Sequence, residues 1–159
     1  CITFMRNTMK NELTHINKKG EVCMVDVSAK PVIKRIAVAH GFLSAQAGTI
    51  DAIMTGELPK GEALSVARIA GIQAAKLTST LVPLCHAIPI EHADIEFVRQ
   101  SKTQLEVIAT MTTHSKTGIE MEALSAVSIA LVNLFDMTKA IDQSMSLGGI
   151  EIVSKEKFE

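Results

Sequence analysis

An uncharged, strongly apolar stretch over residues 123–135 is bracketed by charge at both ends, and that pattern limits the folds open to the chain. Thr117-Gly118-Ile119-Glu120-Met121-Glu122 leads into it, and Asp136-Met137-Thr138-Lys139 closes it. Burying an unpaired charge costs several kcal/mol, so charges at the ends of a core element have partners or a task. The spacing predicts a long helix over residues 120–141. Asp136 and Lys139 are three apart and share a helical face. Glu120 and Glu122 are two apart, which suits an extended or capping segment better than one face.

The chain has 159 residues, 47% of them hydrophobic, enough for one domain with a sizeable core. A flexible extension over residues 1–13 and a single domain over 14–159 are expected. The formal net charge of -1 argues against general nucleic-acid or membrane-surface binding, both of which rely on basic patches. Without Trp or Tyr, and with five Phe, the chain also lacks stacking platforms for single strands. Cys1, Cys23 and Cys85 form neither a zinc pattern nor a disulfide framework, so reduced thiols in the cytoplasm are expected. The apolar run is too short for the roughly 20 residues of a membrane span. The chain starts on Cys1 rather than Met, with no basic-then-apolar pattern, so an upstream start is expected.

Residues 1–30 are polar and read as a partly ordered arm with one strand-like piece at 22–27. A first strand is expected over 34–45, a short helix over 46–55 and a long helix over 61–81. Pro83 ends that helix, because the residue before proline resists helical dihedrals. Residues 88–98 and 103–113 alternate as strands, joined by a hairpin at Gln100-Ser101-Lys102. A last strand at 145–154 is interrupted by Gly148-Gly149. Glu62-Ala63-Leu64-Ser65 and Glu122-Ala123-Leu124-Ser125 form a faint internal echo. The order is that of an α+β, ferredoxin-like βαββαβ sandwich, an antiparallel sheet with helices on one face. The other sheet face needs cover. Leu105, Val107, Ala109 and Met111 offer an apolar stripe for a second subunit, so an oligomer is expected.

Three constellations carry chemistry, the third being the two charged ends of the apolar stretch. Lys60-Gly61-Glu62, with Arg68 and Lys76, places a cation before a helix start, where free N–H groups favour an anion. The plain alternative is a loop and two solvated side chains. Pro83-Leu84-Cys85-His86 occupies a turn, a common location for binding and catalytic groups. His86 suits anion donation or general acid/base work, and a Cys/His nucleophilic pair stays open beside a purely structural turn. Glu120 and Glu122 either cap the helix or join His86 or His114 around a metal. Asp136 with Lys139 is an ordinary ion pair if exposed, and an acid/base pair at a pocket edge.

Several blocks then fall in one order. They are Leu13-Thr14-His15-Ile16-Asn17, Met24-Val25-Asp26-Val27-Ser28-Ala29-Lys30, Lys60-Gly61, Ala67-Arg68-Ile69-Ala70-Gly71-Ile72-Gln73-Ala74-Ala75-Lys76, Pro83-Leu84-Cys85-His86, Lys116-Thr117-Gly118-Ile119-Glu120-Met121-Glu122-Ala123-Leu124 and Asp136-Met137-Thr138-Lys139-Ala140. In these blocks the chain closely resembles the molybdenum cofactor biosynthesis protein C family, the cyclic pyranopterin monophosphate synthases.

The resemblance implies a ferredoxin-like subunit in a homohexamer, a trimer of dimers with pockets between subunits. It implies a small-molecule substrate derived from GTP, 3′,8-cyclo-7,8-dihydro-GTP, converted to cyclic pyranopterin monophosphate with release of diphosphate. Asp136 and Lys139 match the family's catalytic pair, and Lys60 matches another lysine tied to activity. Leu84, Cys85, His86, Met121 and Glu122 match substrate-contact segments, while Glu120, Arg35 and Lys155 also fall on family positions. No cofactor is required and no protein metal site is implied, although Mg²⁺ on the triphosphate is compatible. Ala87 stands where Pro is frequent, and Thr138 replaces a common Cys. Many relatives carry a glycine-rich basic tail after the position of Lys155; if it closes over the triphosphate, other groups, Lys157 among them, must serve here. Two rival readings remain at the level of the residues: a regulatory module that binds a nucleotide or pterin without chemistry, and a metal-dependent hydrolase using His86 with Glu120 or Glu122.

Overall fold

A computed structural model describes residues 15–158. The expected flexible extension over 1–13, and with it Leu13 and Thr14 of the first block, lies outside the described residues. The elements are β1 (Ile33–Ser44), α1 (Ala47–Thr55), α2 (Ala63–Lys76), α3 (Thr78–Leu81), β2 (His92–Arg99), β3 (Gln104–Ser115), α4 (Glu120–Thr138) and β4 (Ser146–Phe158). The four strands form one antiparallel sheet in the order β2-β3-β1-β4. Helix α4 packs on β1, β3 and β4 while α2 packs on β2 and on α4, so both long helices cover one face. This is the expected α+β, ferredoxin-like arrangement.

Period-two patterning sets which face is covered. In β1, Ala37, Ala39 and Leu43 are buried under the helices, and in β3 Leu105, Val107, Ala109 and Met111 are fully buried there too. The latter stripe is therefore core, contrary to the expectation that it faces a second subunit. The opposite face presents half-buried Val38, His40, Phe42, Glu106, Ile108 and Thr110. There the Nδ1 and Nε2 atoms of His40 lie 2.7 Å and 3.1 Å from carboxylate oxygens of Glu106 and Glu151.

Small residues bring the two long helices close together. Ala63, Ala67, Gly71, Ala74 and Ala75 are the buried positions of α2, and Ala123, Ala126 and Ala130 are buried on α4. A Cβ at Gly71 would lie 2.4 Å from Ile95 Cδ1 and 2.9 Å from the Ala126 carbonyl oxygen. A Cβ at Gly41, beneath α4, would come within 2.9 Å of both Val127 and Leu131 side chains. Ile69, although apolar, points outward from α2 and is 69% exposed. At 19 residues α4 has the length and composition of a membrane span. Its apolar stripe is nevertheless spent on the sheet and on α2.

Several boundaries move for local reasons. The helix expected over 61–81 breaks at Leu77, after which α3 adds a single turn. Thr78 bonds back from Oγ1 to the Ala74 carbonyl, a contact that bends helices. Strand β2 starts at His92 rather than near 88. Pro89 has no N–H for a ladder, and its carbonyl instead accepts from Thr113 Oγ1. Strand β4 runs four residues beyond 154, with register shifts against β1 at Val38/Ala39 and at His40/Phe42. The strand-like piece expected at 22–27 is instead a looped segment with one bridge, Ile16 to Val22, closed by an Asn17 turn. Buried Asp142 ties the α4–β4 connection to α1. It accepts from the Gln46 and Ser144 N–H groups and from Thr49 and Ser144 hydroxyls, and these bonds hold its carboxyl down at about 2.

The helix crossing yields the first test. Gly71→Val should lower the unfolding free energy by at least about 2 kcal/mol in denaturant titrations, because the branched side chain meets backbone as well as Ile95. Gly48→Ala, exposed in α1 with nothing within 4 Å of its added carbon, should instead be neutral or stabilising by roughly 0.5 kcal/mol.

Candidate active site

Lys60, Asp136 and Lys139 converge at the C-terminal end of α4. Lys60 Nζ lies 3.1 Å from Asp136 Oδ2 and 2.8 Å from the Asp136 carbonyl oxygen, and Lys139 Nζ lies 2.7 Å from Oδ1. Asp136 therefore receives one ammonium on each carboxylate oxygen. Lys139 and then Lys60 hold its carboxyl below the usual carboxylate range. All three side chains are about half exposed, so the cluster faces open space. The geometry has a structural component as well. The Asp136 carbonyl is one of the last four of α4, and the Lys60 ammonium satisfies it where the helix dipole favours positive charge.

Lys60 was expected to mark an anion site at the start of α2. That start is already filled: the Glu62 carboxylate accepts from the Leu64 and Ser65 N–H groups. Lys60 reaches across to α4 instead. Arg68 is pinned to β2, donating from Nε to the Ile95 carbonyl at 3.0 Å with its guanidinium 5.4 Å from the Phe97 ring centroid.

The opposite end of α4 holds a different constellation. A cavity of about 350 Å³ is bounded by Leu84, Cys85 and His86 from the turn after α3 and by Thr117, Gly118, Glu120, Met121 and Glu122 at the helix start. Glu122 is 4% exposed, and burial, followed by the charge of Glu120, pushes its carboxyl up. Burial and then the Glu122 charge push the Cys85 thiol up as well. A nucleophilic cysteine needs the opposite shift, so the surroundings of Cys85 do not favour a Cys/His nucleophile. His86 places Nε2 2.8 Å from the Val25 carbonyl oxygen. A carbonyl only accepts, so this nitrogen carries the proton.

Cations gather beside the same helix start. Arg35 donates from Nε to the Ser115 carbonyl and from Nη2 to the Lys116 carbonyl, at 3.1 Å and 3.3 Å. Lys155 Nζ lies 3.5 Å from Glu120 Oε1, and Arg35, Lys155 and Lys157 line one crevice with Gly118 and Glu120. A side chain at Gly118 would collide with the Glu120 carboxylate, so glycine there is what lets Glu120 fold back.

Within one chain the two constellations do not meet. Sixteen residues of α4 separate Glu120 from Asp136, about 24 Å along the axis at 1.5 Å per residue. Residue-level reasoning missed four cavity-lining positions on the arm: His15, Val25, Val27 and Lys30. They lie inside quoted sequence blocks, but no spacing rule tied them to the turn at 84–86. His114 pairs with Glu91 at 2.6 Å. Among the described residues no three His, Cys, Asp or Glu side chains converge as metal ligands.

The buried carboxylate gives a test with a defined sign. A folded pKa raised above the ordinary 4.5 means the folded state loses stability as pH rises through that raised value. Glu122→Gln should therefore melt at a higher temperature than the parent at pH 8, with the gap closing below about pH 4.5. Equal melting curves at pH 8 would show that the group is not desolvated.

The fold and both constellations can be set beside known proteins. Residues 24–157 match the MoaC family. The chain is 47% identical over 146 residues to the cyclic pyranopterin monophosphate synthase of Chloroflexus aurantiacus J-10-fl, covering 91% of this chain and 90% of the relative. The Clostridium perfringens strain 13 protein of that name is 46% identical over 92% of this chain and 94% of its own length. Cyclic pyranopterin monophosphate synthase 2 of Mycobacterium bovis is 45% identical over 91% and 86%. Agreement over nearly the whole length means that the chain belongs to the MoaC family.

Proposed function

We propose that the chain is a lyase of molybdenum cofactor biosynthesis, a cyclic pyranopterin monophosphate synthase acting on 3′,8-cyclo-7,8-dihydroguanosine 5′-triphosphate. The observation that carries this reading is the convergence of Lys60 on the Asp136/Lys139 pair, from the α1–α2 loop 76 residues before Asp136. Ring opening and pyrazine closure move protons. In the phosphoryl step a substrate hydroxyl bonds to the α-phosphorus, the α–β phosphorus–oxygen bond breaks and diphosphate leaves. The conversion has no net electron transfer and needs no redox cofactor. A Mg²⁺ ion, where present, arrives with the triphosphate.

A carboxylate held below its usual range is a weak proton acceptor and a good positioner. Asp136 accordingly orients the ammonium groups of Lys139 and Lys60, which donate protons and meet developing negative charge. Leu84, Cys85, His86, Met121 and Glu122 form the walls for the base-derived ring. Arg35 and Lys155, beside a helix start where N–H groups favour anions, form the triphosphate end, and Glu120 positions the Lys155 ammonium. Residues 14–159 are the catalytic unit, working in the cytoplasm. The roughly 24 Å between the two ends of α4 supports a site assembled from two chains, one giving the lysine–aspartate cluster and its neighbour the cavity. A homohexamer built as a trimer of dimers supplies that pairing.

The test is diphosphate release from the cyclised substrate. Asp136→Asn, Lys139→Ala and Lys60→Ala should each lower turnover by at least about 10²-fold while leaving the oligomer intact by light scattering; near-normal turnover in all three rejects the roles. Glu122→Gln should also lose turnover alone, and mixing Asp136→Asn with Glu122→Gln subunits should then restore roughly a quarter of parental activity if one site draws on two chains. No recovery on subunit exchange would confine the site to one.

A further inference from the structure

We propose that residues 22–30 form a strap that roofs the cavity at the start of α4, and that His86 and Lys116 are positioning residues that latch it. The inference rests on the proposed function of that cavity and adds how the site retains its ligand.

The strap supplies one wall of the cavity through Val25, Val27 and Lys30. It is poorly anchored by its own backbone. Among the described residues, its backbone bonds are local, Cys23 N–H to the His15 carbonyl and Lys30 N–H to the Val27 carbonyl. Asp26 shapes it internally by accepting from the Ser28 N–H at 2.8 Å. Apolar burial holds it only in part, since Val22 is 71% and Met24 45% exposed and Val25 and Val27 are no more than half-buried. A segment with few buried apolar contacts and no ladder opens at low free energy unless side chains tie it down.

Among the described residues, two hydrogen bonds tie it to the sheet-and-helix body. His86 donates from Nε2 to the Val25 carbonyl at 2.8 Å, and Lys116 donates from Nζ to the Ser28 carbonyl at 2.7 Å. In both, a body side chain grips a strap carbonyl on the stretch that lines the cavity. Both donors also sit on the cavity's own loops, His86 at the turn after α3 and Lys116 just before Thr117-Gly118. The Lys116 backbone is itself held by Arg35. A reaction with several proton-transfer stages keeps its intermediates out of water only while the roof stays down. The latches therefore govern substrate retention, and proton transfer is left to other groups.

The experiment uses the full chain and compares Lys116→Met, His86→Phe and His86→Gln, whose amide replaces the Nε2–H donor. Without ligand, amide exchange across residues 22–30 should quicken about tenfold in Lys116→Met and His86→Phe, and stay near the parental rate in His86→Gln. Exchange in the core strands should not change. With the cyclised dihydro-GTP, Lys116→Met should raise KM about tenfold while kcat stays within roughly threefold of the parent. Unchanged strap exchange in Lys116→Met and His86→Phe, or full exchange already in the parent, overturns the latch. A loss of kcat with KM unmoved overturns the retention role. If the parent gives no turnover, the proposed function fails, and the exchange data still decide whether the strap is latched.

Discussion

The contact between α2 and α4 depends on what is missing from it, the side chain of Gly71. With no Cβ there, the Ala126 carbonyl and Ala130 can approach the α2 backbone, and alanines at 63, 67, 74 and 75 keep the approach close along the helix. Gly41 does the same beneath α4 on the sheet side. Helix α4 is thus fixed on two sides by small residues, which leave little play in its position. This matters because α4 contributes to both polar constellations, and its placement decides where each is presented.

The two ends of that helix treat charge in opposite ways. At the C-terminal end Asp136 is open to solvent and doubly paired, so its carboxyl stays ionised. At the N-terminal end Glu122 is buried and shares its surroundings with Glu120, so its charge is disfavoured. One element thereby presents a fixed anion with two ammonium groups at one end and a carboxyl of raised proton affinity at the other. Groups of divergent proton affinity suit a conversion that both delivers and removes protons. Lys60 also links architecture to chemistry, since the bond that terminates α4 brings its ammonium to Asp136.

Much of the fold was legible because it is written in periodicities. The apolar run of α4, the alternation in β3 and the hairpin at 100–102 appear where spacing put them. Details set by a single backbone group were not legible. The break at Leu77 follows from one threonine bond, and the late start of β2 follows from the missing N–H of Pro89. The assignment of Leu105 to Met111 to an outer face failed because both faces of a central strand read as partly apolar. At the site, Asp136 and Lys139 could be paired from their spacing of three. Their meeting with Lys60 could not, because it depends on two helix ends lying side by side. The docking of the arm on the body escaped residue-level reasoning, since it runs through the arm's carbonyls, which every residue has.

Strand β4 slips twice against β1, by one residue each time. A single slip exchanges the two faces of a strand, and a second exchanges them back. Between the slips the phase is inverted, so Ile152 lies opposite Ala39 on the helix side while Glu151 joins His40 on the other. Beyond the second slip the original phase returns, and Lys155, opposite Ala37, emerges beneath the start of α4 beside Glu120. The strand behaves as a pair of cancelling gears: adding or deleting one residue between them would send every later side chain, Lys155 and Lys157 included, to the wrong side of the sheet. Length variation in this family should therefore be punished inside β4 far more than in the turn that precedes it.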